Sequence, residues 1–354
     1  MTAFRNDDYA KVTGKAQYTD DFTVTGMLHC VPVYTDYIHA TIEAIHTEAA
    51  SRAPGVVRVI TAADVPGMRF WGQINQDLPI LAHDKIRCTG DVVALVVAET
   101  REQALEAAAR VTVDAQELPA VFDPEEAMQE DAPLIFEERD NNIVVHHKIR
   151  RGDARTALET CDIIVEQTFE TGFFEHAYLE PEGALCVPRQ DGVLEIYGSI
   201  QHPISARKFT CAYLGLSYSE VEVISHPVGG SFGGKDDTAS VVAARTALAA
   251  LLLQRPVKMI YAREWSMRES YKRPPYTLSY RVGLSKAGRL EAVVCRLIAD
   301  SGAYTSTVPW STWRATVQCC GPYQVEHVHT DVYGVATNNV FTGAFRGFGS
   351  PAVN

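Results

Sequence analysis

Pro227-Val228-Gly229-Gly230-Ser231-Phe232-Gly233-Gly234-Lys235-Asp236-Asp237 sits between a β-branched run at 221–225 and an alanine- and leucine-rich run reaching Leu253. The pattern predicts a strand that enters a glycine-rich turn and leaves as a helix, with Asp237-Thr238 as its cap. Gly229, four residues, then Gly234-Lys235 repeats most of a nucleotide phosphate loop. That loop continues with Ser or Thr to hold magnesium, whereas this chain has Asp236, whose carboxylate repels phosphate. A broader reading survives. Paired glycines on both sides of Phe232 let backbone approach a ligand closely, and amides ahead of a helix hold an oxyanion or a polar cofactor edge. A tight turn with Phe232 tucked into the core fits the same residues.

Outward from the turn, strand patterns appear at 257–261, 276–284 and 290–298 on one side, and at 162–169, 184–188 and 194–197 on the other. A helix is predicted over 203–214. Nearer the start, 27–33, 40–45, 56–61 and 91–97 read as strands, 62–67 as a short helix or turn, 100–109 as a helix and 111–113 as a strand. Residues 118–150 contain Pro119, Pro124 and Pro133 with weak periodicity, the mark of a connection. The expected class is α+β, with one unit over 1–125, a linker over 126–150 and a second unit over 151–354.

Lysine and arginine total 32 against 44 acidic residues, a formal charge of −12. That excludes a general nucleic-acid or anionic-membrane surface while leaving room for a local basic pocket. Residues 1–8 lack a basic stretch leading into an apolar one, and 241–253 contains Arg245 and is too short to span a bilayer. A cytoplasmic protein is expected. None of the eight cysteines forms a Cys-x-x-Cys pair, and adjacent Cys319-Cys320 lack the usual chelating spacing. Buried free thiols are expected in place of an iron–sulfur cluster, structural zinc or disulfides.

Gln201-His202 follow a strand, where an amide donates to a ligand oxygen or is simply a satisfied polar group. Glu175-His176 with Glu180 resembles a metal cluster, but Pro181 and the aromatic surroundings favour structural hydrogen bonding. Arg314 lies among Thr312, Trp313 and Ala315, as a solvated surface charge or as an anion clamp. Ala344-Phe345-Arg346-Gly347-Phe348-Gly349 hold an arginine between aromatics and glycines, the pattern of a ligand site that needs a second wall.

Further segments complete the pattern: Lys11-Val12-Thr13-Gly14-Lys15-Ala16-Gln17-Tyr18-Thr19-Asp20-Asp21, Pro54-Gly55-Val56, Thr61-Ala62-Ala63-Asp64-Val65-Pro66-Gly67, Gly90-Asp91-Val92-Val93-Ala94, Glu180-Pro181-Glu182-Gly183-Ala184 and Gly321-Pro322-Tyr323. With Gln201 and the two loops, their order and spacing resemble the molybdopterin-binding part of the xanthine dehydrogenase and aldehyde oxidase family of molybdenum hydroxylases. The resemblance covers essentially the whole sequence. It implies an a/b hammerhead domain over 1–125 and the first molybdopterin-binding domain over 151–354. It gives Gln201 an oxygen ligand of molybdenum to approach, sets Phe232 and Gly233 beside metal and cofactor, and puts Arg346 in a second cofactor-contacting loop. Phe348 would pack on the substrate ring, Asp236 would stand where purine-oxidising relatives have a substrate-facing glutamate, and Arg314 would match their orienting arginine.

The acid and arginine together favour a purine, xanthine or hypoxanthine, with nicotinate, another N-heterocycle or an aldehyde as alternatives because aspartate is shorter than glutamate. The resemblance also implies hydroxylation of a ring carbon with water as oxygen source, and molybdenum held by molybdopterin cytosine dinucleotide. It implies no direct metal ligand and no catalytic base in this chain. The base, a glutamate, is expected on a second molybdopterin-binding subunit, with iron–sulfur clusters and FAD on further subunits, in a dimer of heteromers split just after the arginine loop. A phosphate-loop nucleotide-binding protein and a non-catalytic scaffold are the competing classes.

Overall fold

The computed structural model describes residues 8–354, so most of the leader reading, at residues 1–7, lies outside the described residues. Seven strands form the larger sheet in the order Val221–Ile224, Leu194–Gly198, Gly183–Pro188, Val257–Ile260, Leu28–Tyr34, Val92–Ala98 and Val56–Thr61. Val92–Ala98 is buried at every position, as expected of a near-continuous β-branched run covered on both faces. Leu28 pairs in parallel with Val257 and His29 with Lys258. Strands from the two predicted units therefore share one sheet.

The helix Asp237–Leu253 packs on this sheet beside the helix Pro203–Leu214. Its residues from Asp237 to Ala250 are all buried, and its small alanines permit close approach to sheet and neighbour. Arg245, the one charge in the middle of that run, has three partners. Its guanidinium meets Glu269 Oε1 at 2.5 Å, Tyr261 Oη at 2.9 Å and the Ile80 carbonyl at 2.7 Å. Removing one partner of such a buried pair is far more damaging than the pair is stabilising.

A second sheet has the order Ile163–Glu170, Tyr276–Leu284, Leu290–Gly302, His327–Ala336 and Ile143–Arg151. The stretch expected as a linker thus ends in a nine-residue strand at the sheet edge. Two further elements carried no clear sequence signal: the helix Val308–Gln318 and the strand His327–Ala336. Their placement follows from topology. Leu290–Gly302 and His327–Ala336 pair in parallel, which demands a crossover, and the helix supplies it. Ile163–Glu170 is solvent-exposed along its whole length. Among the described residues no helix is long and apolar enough to cross a membrane.

Candidate functional site

The glycine-rich turn is anchored from beneath by Glu180. Its Oε2 accepts from the Gly229 amide at 2.6 Å and the Ser199 hydroxyl at 2.7 Å, while Oε1 accepts from the Thr19 amide at 3.2 Å. Burial pushes the Glu180 carboxyl up, but these donors and Lys235 together hold it below the ordinary range. Lys235 has no exposed surface. Its Nζ binds the Ser199 hydroxyl, lies 3.4 Å from Glu180 Oε2 and stands 4.5 Å from the Tyr178 ring centroid. The lysine that a phosphate loop would offer to nucleotide is therefore turned into the core. Gly229 is required here because a Cβ would lie 2.5 Å from that of Glu180.

Beyond this anchor the chain projects outward. Gly230 and Gly233 adopt φ of 100° and 101°, and between them Phe232 sits at φ 55° with 46% of its surface exposed. Phe232 is thus presented to the outside, not tucked into the core. Gln201 Oε1 accepts from the Gly233 amide at 3.0 Å and from the Ser231 hydroxyl. An amide N–H can only donate, so the Gln201 oxygen faces the turn. Its Nε2 finds no acceptor among the described residues and stays available to a ligand.

The 344–348 loop closes against this turn. The Arg346 amide donates to the Phe232 carbonyl at 2.7 Å, and a Cβ on Gly233 would lie 2.9 Å from the Ala344 oxygen. Phe345 stacks on His176 at 4.3 Å and 21°, with the Arg273 guanidinium 4.2 Å from its centroid. Arg273 also donates to the Phe348 carbonyl at 3.1 Å and the Arg346 carbonyl at 2.9 Å. Burial lowers the His176 imidazole to about 4, so it is neutral at pH 7 and its Nε2–H donates to the Ala344 carbonyl at 2.9 Å. Among the described residues, the backbone N–H groups of Phe232, Phe345 and Gly347 have no acceptor. The two loops thus offer aromatic faces, free amides and a glycine cradle, and among the described residues no cluster of metal-ligating side chains lies at them. That donor set fits the polar edge of a pterin cofactor.

Arg314 and Phe348 are brought together, the guanidinium carbon lying 5.5 Å from the ring centroid. The pairing holds because the loop lies tight on the helix Val308–Gln318, where a Cβ on Gly349 would sit 2.2 Å from the Ser311 oxygen. Asp236 is placed differently. Its Oδ1 accepts from Gln73 Nε2 at 3.2 Å, and burial raises its carboxyl. Among the described residues no contact joins Asp236 to Arg314 or Phe348. Asp237 beside it is wholly buried and pushed up to about 7, by desolvation first and by the Asp236 charge second. Glu175, His176 and Glu180 do not converge: Glu175 pairs with Lys272 at 2.5 Å, and the others bind the Ala344 carbonyl and the Gly229 amide. Sequence reasoning missed Arg273, and no local spacing marks it, because its partner carbonyls lie 73 and 75 residues away.

Residues 135–354 match the molybdopterin cofactor-binding domain, and residues 13–119 match the aldehyde oxidase and xanthine dehydrogenase a/b hammerhead domain. The chain is 37% identical to the nicotinate dehydrogenase large molybdopterin subunit of Eubacterium barkeri, over 98% of this chain and 80% of that one. It is 34% identical to a probable xanthine dehydrogenase subunit of Bacillus subtilis strain 168, over 98% of this chain but 46% of the relative. The aldehyde oxidoreductase structure from Desulfovibrio gigas superposes with a TM-score of 0.92 at 30% identity, covering 99% of this chain and 40% of that one. Quinoline 2-oxidoreductase from Pseudomonas putida 86 gives 0.87 at 26% identity, covering 98% and 45%. The chain therefore spans less than half of several proteins it resembles.

Proposed function

The chain belongs to the xanthine dehydrogenase and aldehyde oxidase family of molybdenum hydroxylases, and from that premise we propose that it forms one wall of the molybdenum cofactor site in a multi-subunit enzyme acting on an N-heterocycle. The observation that carries this reading is the junction of the two loops, where Arg346 N–H meets the Phe232 carbonyl and Gln201 keeps its Nε2 free. In this reading Gln201, Phe232, Gly233 and Arg346 hold the cofactor, the last two largely through backbone. When bound, the molybdenum cofactor supplies the oxygen-transfer and two-electron chemistry. The remaining wall, with the general-base glutamate, comes from polypeptide outside these residues. Iron–sulfur and FAD subunits, and the cytosine dinucleotide form of the pterin, complete the proposal.

On the substrate side, Arg314 and Phe348 form a cation-and-ring pair open to solvent. A guanidinium recognises a carboxylate or the negative charge that grows on a reacting heterocycle, and a half-buried ring stacks on a flat one. Asp236, engaged with Gln73, would reach a substrate only after giving up that bond or through water. A carboxylated ring such as nicotinate therefore suits the arrangement better than a purine that needs both residues. The relation to the Eubacterium barkeri protein supports the same ranking. The test compares nicotinate, xanthine and a neutral aldehyde in the assembled enzyme with an artificial electron acceptor. Arg314→Ala should lower kcat/KM for nicotinate by about 10- to 100-fold while sparing the aldehyde. Equal losses for both would remove Arg314 from the substrate site.

A further inference from the structure

Away from the two loops, three thiols converge. Cys295 lies in the strand Leu290–Gly302, Cys319 caps the helix Val308–Gln318, and Cys320 follows it. Their sulfurs all lie within 4.8 Å of one another, and those of Cys295 and Cys319 are 3.6 Å apart. The sequence showed only an adjacent pair with poor chelating spacing. The crossover supplies the third ligand, by returning the helix C-terminus over Cys295.

We propose that Cys295, Cys319 and Cys320 form a binding site for one zinc ion. Thiolates around tetrahedral zinc at about 2.3 Å from the metal sit roughly 3.8 Å apart. The Cys295–Cys319 pair already has nearly that separation, and small side-chain rotations bring in Cys320. Thr330 faces Cys295 directly across the parallel strands, with Oγ1 at 3.2 Å from Cys295 Sγ and 3.5 Å from Cys319 Sγ. Once the sulfurs are thiolates, that hydroxyl can only donate to them, the outer-shell support that metal-bound thiolates take. Cys319 and Cys320 also line a groove of about 1160 Å³ together with Leu278, Tyr280 and Tyr323. The groove gives the ion an entry path and room for a fourth, solvent-derived ligand. Cys295 and Cys319 are buried among apolar side chains of the second sheet, which excludes harder cations that need oxygen ligands. Binding releases thiol protons to solvent without change of oxidation state, so zinc affinity rises with pH.

The probe is cobalt(II) added to the full chain purified without oxygen, followed by displacement with zinc. One equivalent should give thiolate-to-cobalt charge-transfer absorption that zinc abolishes. Cys320→Ser, at the half-buried position, should weaken binding at least tenfold, as should Cys295→Ala, while Cys161→Ser, on another element, should leave it unchanged. Absence of that absorption, undiminished cobalt affinity in Cys320→Ser, or conversion of these thiols to a disulfide that binds no metal overturns the proposal.

Discussion

Arg273→Met tests the junction of the two loops through a residue that touches neither turn in sequence. Methionine keeps an apolar stem against Phe345 while removing the guanidinium that binds the Arg346 and Phe348 carbonyls at 2.9 and 3.1 Å. Hydrogen bonds from a charged donor contribute about 1.5–3 kcal/mol each when sheltered, and these are half-exposed, so about 0.8 kcal/mol apiece is a fair allowance. The cation–π contact with Phe345, at 4.2 Å, adds about 0.5 kcal/mol. The total, about 2 kcal/mol, raises the population of the open loop about 30-fold. Because the loop opens locally, the core should not follow. Native-state hydrogen exchange at the Arg346 amide, which donates to the Phe232 carbonyl, should quicken by about that factor. Amides of the buried strand Val92–Ala98 should keep their rates. Unchanged exchange at Arg346 would refute the clamp, and equal acceleration in both places would show a global role instead.

Lys235→Met should cost about 3 kcal/mol in a denaturant titration, because it leaves Glu180 and nearby Glu182 without their buried cation; a loss under 1 kcal/mol would contradict its bracing role. Asp237→Asn should show a pH-dependent gain. Its folded carboxyl is raised from 3.8 to about 7, so the stability the wild type holds below pH 4 drains away as pH rises through 7. The asparagine chain escapes that loss, and its advantage should grow by about 3 kcal/mol between pH 5 and pH 8, read from thermal unfolding across that range. A pH-independent difference would refute the assignment.

Local pattern sufficed where an element's burial is written in its own residues. The helix Pro203–Leu214 has proline at its first turn and the left-handed Gly215 at its end, and both boundaries were legible. The helix Asp237–Leu253 and the strand Val92–Ala98 were legible through composition. His327–Ala336 and Ile143–Arg151 were not. Histidines and charged residues interrupt the apolar pattern of these strands, and their identity comes from pairing across the sheet. The site divides the same way. The two glycine-rich loops announce themselves, but their junction rests on Arg273, His176 and Glu180, whose hydrogen-bond partners in those loops are 49 to 168 residues distant. Asp236 shows the converse: its position in the motif was plain, yet its bond to Gln73 spans 163 residues.

The most direct measurement is the molybdenum content of the enzyme purified through this chain, in the multi-subunit form proposed above, set beside the same preparation carrying Gly233→Ala. Gly233 adopts φ 101°, which disfavours any side chain, and its Cβ would press on the Ala344 oxygen at 2.9 Å. The expected result is about one molybdenum per chain in the wild-type complex and a several-fold lower content in the variant, with assembly retained. An active wild-type complex without molybdenum, or equal molybdenum in both, would contradict a cofactor site built at the meeting of these loops.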